Sequence, residues 1–282
     1  MKTALFLAFL LMPFADGATT KTETKKEKTQ ELWSASFPGA RPVAVFFDLA
    51  ENALYVSVQE NKKGKIEKLS LAGMKDAASS VPSNASPGPL RAFNGRLYWI
   101  AGDEVRSTGP GGEISHGRLP KDLGEPVDIA LDRKGRIFVG ASSGVLYRIE
   151  GQKNGSVDLR GAPVTGLFLL LDTLYILRGT HLQPYLAGEK REKLEKIEKS
   201  ETKSTRFCAK SCYGLERSSD GRWLTAQGNK VLAIDARGRV SVLLSADKTI
   251  GRMAYVYRRD PKEDFYVLPF PEEGVVRAYR MQ

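Results

Sequence analysis

Few residues of this chain could do chemistry, and their placement narrows what that chemistry would be. The third residue of each of six recurring segments is Ala44, Arg91, Asp128, Thr165, Gly214 and Arg252. Brought side by side, they would set two guanidinium groups, one carboxylate and one hydroxyl around a common centre. Asp128 is the one acidic residue of this expected ring. Arg offers planar paired donors to a carboxylate or phosphate. A partly shielded basic funnel concentrates anions. Arg91, Asp128, Thr165, Arg252 and the neighbouring Tyr213 are therefore expected to hold an anionic small molecule or an acidic protein segment. The same residues allow a second reading, in which Asp128 pairs with Arg91 or Arg252 and only plugs the centre.

Other reactive residues are sparse. The two histidines, His116 and His181, fall in different segments and are expected to be outer and solvated. No Gly-x-Ser-x-Gly turn, His-Glu-x-x-His helix or phosphate-binding Gly loop occurs. Gly109-Pro110-Gly111-Gly112 is glycine-rich but lies between strands, so it reads as a hairpin turn. The two cysteines, Cys208 and Cys212, are expected to form a disulfide if the chain is exported. Their loop is short, so its effect would be local, pinning the segment that carries Tyr213.

The elements that must position these residues are strands. Pro126 to Ile149 reads as three of them, separated by turns at Arg133-Lys134-Gly135 and Ser142-Ser143-Gly144. The unit recurs with starts near 42, 89, 126, 163, 212 and 250, a spacing of 37 to 49 residues. That is the length of a four-stranded propeller blade, and one blade cannot bury both faces alone. Asp132 and Asp220 sit at the blade turns, where they should cap the turn rather than catalyse.

Pro126 to Val139 resembles an NHL-type repeat. The whole array is similar to the six-bladed propellers of the senescence-marker-protein/gluconolactonase and strictosidine-synthase-like superfamily. The resemblance implies an all-β fold of six four-stranded antiparallel blades. It also implies a candidate activity, that of a lactonase or esterase-like hydrolase holding a divalent cation with a Glu, an Asn and an Asp. Here the first blade opens Pro42-Val43-Ala44-Val45, without the Glu. Hard dications need several oxygen ligands, so no metal site is expected, and a divalent cation is required only on the hydrolase reading.

The termini suggest how the ring closes. Residues 31–37 alternate apolar and polar side chains ahead of the first full blade, and the unit from Ile250 shows three clear strands. The spare N-terminal strand should complete the last blade and remove an open edge. Residues 1–18 read as a signal peptide, with an 11-residue apolar run from Ala4 to Phe14 that is too short to span a bilayer. Residues 19–30 read as a disordered linker and 31–282 as the propeller. The stretch 76–88 reads as an inter-blade loop, with Asn84-Ala85-Ser86 as a turn. The charged run 188–206 reads as an outer strand with solvated flanks, or as a short rim helix.

The formal charge is +10 and the isoelectric point about 9.5, but the basic residues are scattered and no base-stacking motif appears. A nucleic-acid partner is therefore not expected. The sequence leads to a periplasmic or secreted, monomeric propeller with no membrane span in its mature form. It would act as a binding or interaction module of the cell envelope. The metal-dependent hydrolase is the alternative, and a purely structural propeller docked through its rim is a third reading.

Overall fold

The computed structural model describes residues 29–61, 63–83, 87–151, 153–159, 162–186, 205–206, 208 and 210–281. The first strand, β1 (Thr29–Ser36), precedes five complete blades. Blade one is β2 (Arg41–Asp48), β3 (Ala53–Glu60), β4 (Lys63–Leu69) and β5 (Lys75–Ser83). Blade two is β6 (Pro87–Phe93), β7 (Arg96–Ala101), β8 (Glu104–Thr108) and β9 (Ile114–Arg118). Blade three is β10 (Pro126–Leu131), β11 (Ile137–Ala141), β12 (Val145–Glu150) and β13 (Lys153–Asp158). Blade four is β14 (Val164–Leu170), β15 (Thr173–Arg178), β16 (His181–Leu186) and β17 (Thr205–Arg206). Blade five is β18 (Tyr213–Arg217), β19 (Trp223–Gln227), β20 (Lys230–Ile234) and β21 (Val240–Ser245).

Blade six is made from both ends of the chain. Its order is β1, β24 (Val275–Met281), β23 (Phe265–Phe270) and β22 (Ala254–Val256). β1 runs antiparallel to β24 from Thr29 opposite Met281 to Ser36 opposite Val275. The fold is an all-β six-bladed propeller closed by its N-terminal strand, as the sequence leads one to expect. The ring is also tied near its axis. Ala44 forms a parallel bridge with Arg252, with Val45 N donating to Arg252 O at 2.9 Å and Arg252 N to Val43 O at 3.0 Å.

The core follows from the blade sequences. Second strands such as Ala53-Leu54-Tyr55-Val56-Ser57-Val58 are buried along their length, because neighbouring blades cover both faces. Six hydrophobic clusters among the described residues lie one at each blade-to-blade contact. The turn chemistry is regular too. Asp132 accepts the amides of Lys134 and Arg136, each at 2.9 Å, and pairs with Arg136 Nε at 2.5 Å. Asp235 repeats this with Arg237 N at 2.8 Å, Arg239 N at 3.0 Å and Arg239 Nε at 2.7 Å. Asp220 takes Arg222 Nε at 2.7 Å. These carboxylates organise turns, and none is free for catalysis.

Two local expectations change, and the outer strand expected in the charged run is found in part. Most of 76–88 is not a loop, since Lys75–Ser83 is the outer strand of blade one, paired with β4. The sheet supplies an unpaired edge there, and that outweighs the weak strand propensity of its Ser and Ala residues. The Asn84-Ala85-Ser86 turn lies outside the described residues. Of the charged run, Thr205–Arg206 is the outer strand of blade four, opposite His181 and Leu182. The rest, through 204, lies outside the described residues, as do the proposed signal peptide and residues 19–28. Thr29 and Gln30 belong to β1 rather than to the linker.

Candidate functional site

The first strands of the six blades line the axis, and each carries an irregularity that sets which side chains meet. In five blades the pairing of the first strand with the second slips near its start. The slips lie at Pro42/Ala44, Pro87/Leu90, Pro126/Asp128, Val164/Gly166 and Tyr213/Glu216. An added residue in one strand turns the following side chains to the other face. The six third positions therefore do not form a flat ring. Measured against the second strands, Ala44 opposite Ser57 and Asp128 opposite Gly140 share a level. Thr165 and Arg252 stand one residue earlier, and Arg91, opposite Tyr98, stands two residues further along.

Long side chains bring the charges back together. Arg252 Nη1 pairs directly with Asp128 Oδ1. Arg91 Nη2 lies 3.9 Å from the same oxygen and 3.8 Å from Glu216 Oε1. Glu216 is the second carboxylate of the centre, which corrects the expectation that Asp128 stands there alone. The slip before Glu216 puts it on the inner face. The signal that would have found it is a lone acidic residue in the inner strand Tyr-Gly-Leu-Glu-Arg.

The surroundings hold this group through backbone as well as side-chain partners. Asp128 is fully buried and accepts Ile129 N–H at 2.5 Å and Leu167 N–H at 2.7 Å. Arg91 donates to the carbonyls of Leu90 at 2.9 Å and Leu167 at 3.2 Å, and its guanidinium lies 5.5 Å from the Phe46 ring. The cluster thus joins blades two, three, four, five and six, and the Ala44 bridge adds blade one. Burial lowers the Arg91 pKa, with the nearby Arg252 charge acting the same way. Burial raises that of Glu216, Arg91 and Arg252 oppose the rise, and Asp128 adds to it.

The remaining expected residues are placed as follows. Thr165 is half-buried and donates to Leu177 O at 3.3 Å. The Tyr213 hydroxyl donates to the Ile250 carbonyl, with Gly228 O 2.9 Å away, and burial pushes its pKa up to about 12. Tyr213 ties two loops together and is not part of the charge cluster. Cys208 and Cys212 form a disulfide beside it. Their amides donate to Thr180 O and Gly179 O of blade four, both at 3.2 Å. His116 lies in the outer strand β9 against Tyr98 and Ser107, and His181 is exposed at the start of β16. Neither reaches the axis.

A divalent cation does not fit this centre. Both Asp128 oxygens are committed to donors, Glu216 faces a guanidinium, and two arginine cations would repel a metal ion. No group of three His, Cys, Asp or Glu suited to a metal occurs among the described residues.

Two features of Arg252 remain. Its side chain is only 9% exposed, yet Nε and Nη2 have no hydrogen-bond partner among the described residues. The neighbouring Gly214, at φ +68°, packs beside the Arg252 stem, where a Cβ would stand in ordinary contact with Cγ at 3.5 Å.

No protein-family model matches the chain, and no curated protein matches its sequence. Solved structures do resemble it. A streptogramin B lyase superposes with a TM-score of 0.62 at 11% identity, covering 90% of this chain and 98% of its own. Virginiamycin B lyase from Staphylococcus aureus gives 0.59 at 12% identity, covering 91% and 100%. The WD40 propeller domain of Doa1 gives 0.59 at 8%, covering 85% and 78%. What they share is the propeller fold. At such identity the likeness extends no further, and propellers carry both enzymes and binding modules.

Proposed function

We propose that this propeller is an exported binding module of the cell envelope that takes an anionic group at the centre of its channel through Arg252. The observation that carries the reading is the pair of buried, unpartnered donors on Arg252. Leaving a buried donor unmet costs about 1–3 kcal/mol, more for a charged group, and native proteins rarely do so without a ligand, ion or water to meet it. An oxyanion is the complement of these two nitrogens, whose N–H groups lie side by side on one edge of the guanidinium. The cation-dependent hydrolase finds no support in the central side chains, which already neutralise one another.

The test is a titration of residues 29–282 with methanesulfonate, followed by calorimetry and by thermal unfolding. Saturable binding is expected, with a Tm that rises as the anion is added. Arg252→Lys keeps the charge opposite Asp128 but removes the planar pair of donors, and it should weaken binding at least tenfold. Equal binding by the variant and the parent would remove Arg252 from the site and overturn the reading.

A further inference from the structure

The charges of the centre balance, and that balance sets what its ligand must bring. Arg91 and Arg252 supply two positive charges, and Asp128 and Glu216 supply two negative ones. An anion added at Arg252 would leave one negative charge uncompensated in a region largely removed from water, which is strongly disfavoured. A proton on one carboxylate cancels it. Asp128 is the wrong carrier. Its oxygens already accept Arg252 Nη1 and the amides of Ile129 and Leu167, so a proton placed there would have to displace one of these donors. Glu216 accepts no hydrogen bond among the described residues and has one guanidinium nitrogen at 3.8 Å.

The charges acting on Glu216 come from blades two, three and six: Arg91 of β6, Asp128 of β10 and Arg252 just before β22. The Tyr257 hydroxyl, just after β22, lies within reach of the Glu216 charge. Burial favours the protonated form of Glu216, Asp128 acts in the same sense, and the two arginines act against it. An anion at Arg252 would draw on the positive charge that opposes protonation of Glu216, and so would favour protonation further.

We infer that the central site takes up a monovalent oxyanion, of carboxylate or sulfonate type, together with one proton carried by Glu216. This rests on Arg252 being the anion-binding residue. Before binding, the two cations face two carboxylates. After it, they face Asp128 and the ligand, while Glu216 is neutral. A dianion would need two protons and is disfavoured.

Methanesulfonate is the probe, because it carries no titratable proton between pH 5 and 8. Calorimetry in two buffers of different ionisation heat counts the protons taken up. At pH values above the Glu216 pKa the count should approach one, and the association constant should fall about tenfold per pH unit. Glu216→Gln, neutral at every pH, should bind with no proton uptake and no pH dependence, and should bind more tightly than the parent at pH 8. Binding by the parent with no proton uptake overturns the inference and leaves Arg252 as the anion site. No saturable binding at any pH removes both. If Glu216→Gln does not fold, the proton count of the parent decides the matter.

Discussion

Asp128 gathers more donors than most carboxylates. The Arg252 guanidinium and two backbone amides point at it, with Arg91 at 3.9 Å. An isolated buried ion pair contributes little over an apolar replacement, because desolvation offsets attraction. Removing one partner is another matter, since it strands the other charge. Asp128→Ala would leave Arg91 and Arg252 facing each other with only Glu216 to compensate. It should cost about 3–5 kcal/mol, read from urea unfolding at pH 7. A loss under 1 kcal/mol would mean that water already screens the pair. The residues in this centre differ in how readable they were. Arg91, Asp128 and Arg252 were visible as polar interruptions of apolar strands. Glu216 is equally visible as a residue, but which face it takes depends on a local slip in strand pairing. A single residue of register decides that, and the lone acidic residue in an inner strand marks the position without saying which way it faces.

The element on which the ring depends is β1. Through it the N-terminal part of the chain supplies the outer strand of a blade whose other three strands end the sequence. It adds more than backbone pairing. Ala35 and the adjoining Phe37 belong to the cluster between blades six and one, and Trp33 Nε1 donates to Leu71 O of blade one at 2.8 Å. A chain beginning at residue 37 would expose the whole edge of β24, from Val275 to Met281. Open strand edges pair with other chains. This truncation should elute as oligomers or aggregate in size-exclusion chromatography with light scattering, whereas residues 29–282 elute as a single species. A monomeric, stable truncation would show that the bridge between Ala44 and Arg252 closes the ring by itself. The outer strand Lys75–Ser83 carries a related lesson at this scale. Its composition reads as a loop, and it becomes a strand because β4 offers an unsatisfied edge.

For the whole molecule, the proposed export and the fold make separate demands. No helix among the described residues is long and apolar enough to cross a membrane, and a disulfide is compatible with an oxidising compartment. If the chain is exported with its leader cleaved, intact-mass analysis of the mature protein should find an N-terminus near residue 18 or 19, and Met1 on the purified chain would contradict cleavage. The sequence by itself determined the number of blades, the turn residues between their strands and the way the ring closes. Each of these is local or periodic: alternating apolar residues, an Asp two to four residues ahead of the amides it caps, and a spare strand at one end for a missing one at the other. Tertiary structure decided what happens at the axis. Six strands from distant parts of the chain converge there, small slips in pairing choose which side chains turn inward, and the reach of two arginines compensates for their unequal levels. Whether a buried charge meets a partner depends on that convergence. Hence the free donors of Arg252, which carry the functional proposal, emerged only once all six blades were in place.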